Sequence, residues 1–153
     1  MTDLISYLYS LETRGIKLGL ERTKLLLAGC NNPEKRLRCI QIAGTNGKGS
    51  VSAMISNALI QSGYKIGLYT SPHLINLNER IRINGLPISN MEISTIIKKY
   101  KQKIEINESS FFEAMTMIAF TFFKENNVDL AILETGLGGK FDSVTTCNPI
   151  ITA

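Results

Sequence analysis

Cysteine is scarce in this sequence, and the residues present follow no spacing that a disulfide framework or a zinc site requires. There are three cysteines, Cys30, Cys39 and Cys147, and no C-x-x-C motif. An odd number of widely separated thiols excludes a small disulfide-stapled fold and a zinc ribbon. We therefore predict buried or half-buried free thiols in a reducing cytoplasm, where disulfides are rare.

The chain also lacks a long hydrophobic run and a long basic block. Its most apolar stretch, residues 114–123, is interrupted by two threonines and is roughly half the length of a membrane-spanning helix. No signal-like or Arg-rich segment begins the sequence. The 17 basic and 13 acidic residues are scattered, so we predict a cytoplasmic protein that binds neither membrane nor nucleic acid. A mild basic excess suits a small phosphate-bearing ligand.

Helical and strand patterns alternate along the chain, which predicts an α/β fold. The predicted helices cover residues 3–11, 21–28 and 48–62, a segment from 90 to about 104, and a segment that begins at 111. The predicted strands cover residues 37–43, 65–69, 128–134 and 150–151, with a hairpin at 79–88. We predict a mostly parallel sheet with helices on both faces. One domain is expected, with residues 1–36 as a helical lead-in and 37–153 as the α/β core.

A glycine-rich loop links the first predicted strand to the helix that follows it. Its residues are Gly44, Thr45, Asn46, Gly47, Lys48, Gly49 and Ser50. Glycines let backbone N–H groups approach phosphate oxygens, and the helix N-terminus adds partial positive charge. Lys48 is placed to reach the β- and γ-phosphates, and the Ser50 hydroxyl to serve magnesium or a phosphate. We predict an ATP-binding P-loop, although the spacing departs from G-x-x-x-x-G-K-[ST]; the alternative is a tight turn with an incidental lysine.

Glu134 ends the third predicted strand of the parallel set and precedes a second glycine-rich loop, residues 135–139. The carboxyl ends of parallel strands form the edge at which α/β proteins bind ligands. Glu134 is therefore a candidate site residue, and the alternative is a surface or helix-capping carboxylate. His73 is the one histidine of the chain, and we expect it to be a hydrogen-bonding loop residue rather than a metal ligand or base.

The start of the last predicted helix carries polar and aromatic residues that allow two interpretations. Ser110 and Glu113 have the spacing of a capping box, which already explains them structurally. Phe111 and Phe112 are typical of a core, although one of them could stack on a ligand ring.

Four stretches of the sequence resemble the folylpolyglutamate synthase and dihydrofolate synthase family of the Mur ligase superfamily. They are residues 15–22 (GIKLGLER), 43–50 (AGTNGKGS), 69–74 with 78–81 (YTSPHL and NERI), and 133–142 (LETGLGGKFD). The matches are colinear over essentially the whole chain, so the chain is similar to the amino-terminal portion of the family's ATPase domain.

The resemblance implies roles for named residues. It implies that residues 45–50 hold ATP, that Ser71 and Glu134 ligate Mg²⁺, and that Lys48 and Glu134 serve catalysis. A hydroxyl and a carboxylate suit magnesium, which prefers oxygen ligands and keeps phosphates and waters in its shell. For a pterin-bearing substrate, the resemblance points to pocket residues at three further positions, Thr70, Ser110 and Asp142.

The implied reaction is the ATP-dependent, ADP-forming addition of glutamate to a folate or dihydropteroate carboxylate through an acyl phosphate. Lys48, the loop amides and magnesium would stabilise the transferring phosphoryl group, because its transfer is catalysed mainly by positioning and electrostatics. The implied partners are these small molecules, and members of the family are usually monomeric.

The chain also departs from the family pattern. Members are typically more than twice as long, and we expect the carboxyl-terminal domain and later ligands to be absent here, so that the chain alone binds Mg-ATP weakly and does not turn over. After Asp142 the family usually continues with a threonine at the position of Val144, and we expect this methyl group to remove a hydrogen-bonding group from the substrate pocket. Two alternatives stay open: a Mur-type ligase acting on a cell-wall precursor, and a truncated, non-catalytic ATP-binding remnant.

Overall fold

A six-stranded, mostly parallel sheet organises the structure. The computed structural model describes residues 2–16 and 19–153. Lys17 and Leu18, which belong to the first stretch of the family resemblance, lie outside the described residues.

The predicted elements are confirmed, with ends shifted by a few residues. The helices α1 to α5 span Thr2–Ser10, Glu21–Gly29, Lys48–Gln61, Asn90–Ile106 and Phe111–Glu125. The strands β1 to β6 span Cys39–Ile42, Ile66–Tyr69, Ile81–Ile83, Leu86–Pro87, Leu130–Glu134 and Ile151–Thr152. Helix α5 begins at the predicted capping box of Ser110 with Glu113, and α4 begins at a second capping box of the same spacing, Ser89 with Glu92.

The strand order is β4-β3-β2-β5-β1-β6. Strands β2, β5, β1 and β6 are parallel, and the hairpin of β3 and β4 adds the antiparallel edge that the Asn84-Gly85 turn predicts. Strand β5 lies between β1 and β2, an insertion that the order along the chain does not reveal. The carboxyl ends of β1, β2 and β5 therefore meet at one edge of the sheet.

The two faces of the sheet are covered unequally. On one face a large core includes residues of the lead-in and of α4 and α5, and α5 is buried along nearly its whole length. On the other face a smaller cluster of Ile and Leu residues packs under α3. Helices α1 and α2 belong to the side with the larger core, where they contact α4 and α5.

Helix α3 forms as predicted, and Ile55 and Leu59 of its apolar residues pack on the sheet. Ser52 and Ser56 are also buried, whereas Val51 and Ala58, which share the helical spacing of these apolar residues, are exposed. Apolar spacing alone therefore predicted the helix correctly and its buried face only in part.

The three cysteines are free and buried, as predicted. Over the described ranges, no helix combines the length and apolarity needed to cross a membrane.

Candidate active site

The glycine-rich loop turns sharply between β1 and α3 at the carboxyl edge of the sheet. Gly44 and Gly47 have φ angles of 143° and 78°, which side-chain-bearing residues rarely adopt. The first loop-to-helix bond runs from the Val51 amide to the Gly47 carbonyl, 2.9 Å, so the amides just before it, those of the first helical turn, have no intrahelical acceptor. Residues 44–47, 49 and 50 are exposed. The loop therefore presents free N–H donors and a helix N-terminus, which suit a polyphosphate.

Lys48 and Glu134 face each other across this edge. The Lys48 Nζ donates to the Gly44 carbonyl at 2.8 Å, which folds the lysine back over the loop. Glu134 pairs with Ile42 in the β1–β5 register, and its carboxylate oxygens would lie 3.9 Å from a Cβ placed on Gly49. The Ser71 amide, at the end of β2, donates to Glu134 Oε2 at 3.1 Å. Topology thus brings together the P-loop and both predicted magnesium ligands.

Glu134 is buried without a full complement of partners. Burial raises the pKa of its carboxyl group, and the Ser71 amide and the Lys48 charge only partly offset this rise. A buried carboxylate in this condition is stabilised by a nearby cation. Among the described residues no group of three His, Cys, Asp or Glu side chains could hold a metal ion. The donor set of a carboxylate and a hydroxyl fits Mg²⁺, which completes its shell with phosphate oxygens and waters.

A cavity of about 430 Å³ opens beside these groups. Its wall combines Lys48 and Ser71 with residues from the lead-in, the start of α5 and the loop that follows β5. Phe111, Phe112 and Phe141 contribute aromatic surface. A largely apolar cavity with a few convergent polar groups is typical of a small-molecule site.

Two of the three predicted substrate residues line this cavity. Ser110 caps α5, where its hydroxyl accepts from the Glu113 amide at 3.4 Å. Asp142 is buried and accepts from the amides of Gly136, Leu137 and Val144, at 2.7, 3.0 and 3.0 Å. Burial raises the pKa of its carboxyl group even so. Both side chains therefore line the cavity and also accept hydrogen bonds from backbone amides of its wall.

Two further residues that the sequence suggested, Thr70 and Val144, lie outside the described cavity wall. Thr70 is half-buried, its amide donates to the Arg80 carbonyl at 2.9 Å, and it is not part of the described cavity wall. Val144 is fully buried in the main core and does not line the cavity, so an effect of its methyl group on substrate binding stays a prediction. The turn capped by Asp142 rotates Val144 inward and places Ser143 in the wall instead.

Sequence reasoning missed Arg80, which lines the cavity and is buried. Its Nε donates to His73 Nδ1 at 2.8 Å, so His73 is a hydrogen-bonding loop residue, as predicted. Arg80 lies within the resembling segment 78–81, and that was the available signal. From the sequence alone, an arginine just before a surface hairpin is expected to be exposed to solvent. The burial of Arg80 depends on α5 and on the loop after β2, which are distant from it or unpredictable in sequence terms.

Comparisons with known proteins agree on one family, although no family model matches the chain. The chain is 42% identical over 157 residues to a dihydrofolate synthase/folylpolyglutamate synthase of Bacillus subtilis. This match covers 98% of the chain and 36% of that relative. A Mycobacterium tuberculosis folylpolyglutamate synthase solved with ADP superposes with a TM-score of 0.91 at 30% identity, over 99% of the chain and 36% of that protein.

A second solved structure is similar. It is a bifunctional folylpolyglutamate synthase/dihydrofolate synthase with Mn, AMPPNP and L-glutamate bound, and it matches with a TM-score of 0.90 at 33% identity, over 97% of the chain and 37% of that protein. The chain therefore spans little more than a third of the length of each of these three proteins.

Proposed function

The chain belongs to the folylpolyglutamate and dihydrofolate synthase family, and on that premise we propose that it supplies the ATP-binding part of an ATP-dependent, ADP-forming ligase. The proposed reaction joins glutamate to the carboxylate of folate or dihydropteroate. The relatives' names favour a folate-type substrate over a cell-wall precursor.

One observation carries the proposal: the Glu134 carboxylate lies between the start of α3 and the amide of Ser71, and Ser71 itself lines the cavity together with Lys48. The P-loop and the cavity are the binding places for two different reactants, and Glu134 with Ser71 stands where they meet. This arrangement suits transfer of a phosphoryl group from a nucleotide on one side to an acceptor on the other.

The residues divide the chemistry among them. The amides of residues 44–50 and the Lys48 ammonium group bind the phosphates and stabilise the charge that develops on the transferring group. Magnesium, when bound by Ser71 and Glu134, would neutralise phosphate charge and fix its orientation. The substrate carboxylate oxygen forms a bond to the γ-phosphorus while the bond to the bridging oxygen breaks, and ADP leaves with that electron pair. Lys48 and Glu134 are thus the proposed catalytic residues.

The cavity is the proposed site of the pterin-bearing substrate. Its aromatic wall, Phe111, Phe112 and Phe141, offers ring faces for stacking, and Ser110 and Asp142 are proposed to contact the substrate at the polar side. We assign the reaction to the cytoplasm because the three thiols are free. A monomeric state stays a prediction.

Calorimetric titration of ATP into the purified chain, with and without Mg²⁺, tests the proposal. We expect Lys48→Ala to weaken binding about tenfold to a hundredfold, the range of a lost hydrogen bond to a charged group. Lys98→Ala is the matched control, because Lys98 is exposed on α4, and it should bind as the wild type does. If the wild type and Lys48→Ala bind ATP with equal affinity, the assignment of residues 44–50 as the ATP-binding loop is wrong.

A further inference from the structure

Arg80 is a buried cation in the wall of the cavity. Its exposed fraction is 8%, and it is the last residue of the short 3-10 turn Leu77–Arg80 that leads into β3. The Arg80 carbonyl accepts from the Thr70 amide at 2.9 Å, which ties it to the residue before Ser71. The backbone of Arg80 is therefore held at the sheet edge, beside the residue that precedes a predicted magnesium ligand.

The guanidinium group of Arg80 is only partly satisfied. Its Nε donates to His73 Nδ1 at 2.8 Å, and its Cζ lies 5.2 Å from the centre of the Phe111 ring. Among the side chains that the structure describes, those of residues 4–16 and 19–153, no carboxylate comes within ion-pair distance of Arg80, and neither Nη group donates a hydrogen bond to them. A buried charge without a counter-charge is costly, and this group lines an open cavity.

Of the acidic residues of the wall, Glu12 is exposed, whereas the two buried ones, Glu113 and Asp142, are engaged elsewhere. Glu113 forms an ion pair with Arg22 at 3.4 Å and accepts from the Ser110 amide at 2.8 Å. Asp142 accepts three loop amides. Lys48, the other cation of the wall, bonds to the P-loop. Arg80 is left as the group that an incoming anion can pair with.

We propose that Arg80 binds the carboxylate of the substrate and holds it beside Ser71 for attack on the nucleotide; this inference rests on the proposed function. The planar guanidinium group presents paired N–H donors that match a carboxylate. The bond from Nε to His73 fixes the plane of the fork, and Phe111 fixes its depth in the wall. Phosphates have a separate binding place at the P-loop, so the anion of this subsite is a carboxylate.

Pteroate and its carboxamide form the matched pair of probes, because they differ only in the charge of the group assigned to Arg80. Calorimetric titration of the wild-type chain should give an affinity for pteroate at least about tenfold higher than for the carboxamide, the size of a charge-assisted hydrogen-bonded pair. In Arg80→Gln this preference should disappear while carboxamide binding is retained. Arg80→Lys should restore part of the preference, since it keeps the charge and loses the fork.

Arg82→Gln is the control, because Arg82 lies two residues further on, in β3, and bonds to the Glu79 carbonyl at 3.0 Å. It should keep the wild-type preference. Equal wild-type affinity for the two probes would overturn the assignment of Arg80 and leave the proposed substrate intact. A parallel loss of both probes in Arg80→Gln would also overturn it, because a structural role predicts that result. If neither probe binds the wild type, the proposed pterin site falls together with the assignment.

Discussion

At the scale of single residues, the site is built from ionisable groups that the fold holds in unfavourable surroundings. Burial raises the pKa of the Glu134 carboxyl group above its ordinary value of 4.5. The folded state therefore retains the Glu134 proton to higher pH than the unfolded state does. This contribution to stability is complete below about pH 4.5 and is lost as the pH rises through the folded pKa. At neutral pH the ionised carboxylate is a cost that a bound cation would offset.

We predict that Glu134→Gln raises the free energy of unfolding at pH 7 and abolishes the effect of Mg²⁺ on ATP binding. The amide keeps the shape of the side chain and cannot ionise, so the buried charge is removed. The gain should shrink as the pH falls toward 4.5, where the wild-type carboxyl group also becomes neutral. Urea unfolding at several pH values measures it.

Glu79 provides a control, because the pKa of its carboxyl group is shifted in the direction opposite to that of Glu134. Backbone amides of the loop 74–76 hold the pKa of its carboxyl group below the ordinary value. Glu79→Gln should therefore destabilise the chain at pH 7, with a difference that disappears as acid protonates the wild-type group. A stability loss in Glu134→Gln at pH 7 would contradict our account of that residue.

At the scale of elements, the start of α5 serves both the helix and the cavity. Ser110 and Glu113 form a capping box, and so do Ser89 and Glu92 at the start of α4. Ser89 is exposed and lies outside the cavity wall, whereas Ser110 is buried in it. A comparison of Ser89 with Ser110 can therefore distinguish the two interpretations of Ser110, a helix cap alone or a helix cap that also contacts the substrate.

We predict that Ser89→Ala and Ser110→Ala each lower the free energy of unfolding by about 1 kcal/mol, the usual cost of losing an N-cap. Ser110→Ala alone should weaken pteroate binding. Urea unfolding and calorimetric titration of both variants provide the two measurements. Unchanged pteroate affinity in Ser110→Ala would limit Ser110 to its capping role.

Element patterns were readable from the sequence because their signals are local. Capping residues at Ser89 and Ser110, the Asn84-Gly85 turn and the glycines before α3 each act within a few positions along the chain. The buried face of α3 was not readable in the same way. Ser52 and Ser56 are buried because of the strands they meet, and a helical repeat carries no information about a neighbouring surface.

At the scale of the whole molecule, protection should follow the sheet order. Strand β5 is hydrogen-bonded on both sides, to β2 and β1, whereas β4 and β6 are edge strands with exposed residues. We predict that hydrogen exchange is slowest in residues 130–134 and fastest among the strands in β4 and β6, because opening an edge breaks fewer contacts. Exchange followed by mass spectrometry measures this order, and equal protection of β5 and β6 would contradict it.

The sequence by itself determined the P-loop, the helices and strands, the capping boxes and the family, because each of these depends on residues close together in the chain or on a motif of fixed spacing. Only the tertiary structure decided that β5 enters between β1 and β2, which brings Glu134 to Lys48 and Ser71. It alone buried Arg80 in the cavity wall and Val144 in the core. Burial and partnership are set by segments far away along the chain, and these meet only when the sheet and its two helical layers assemble.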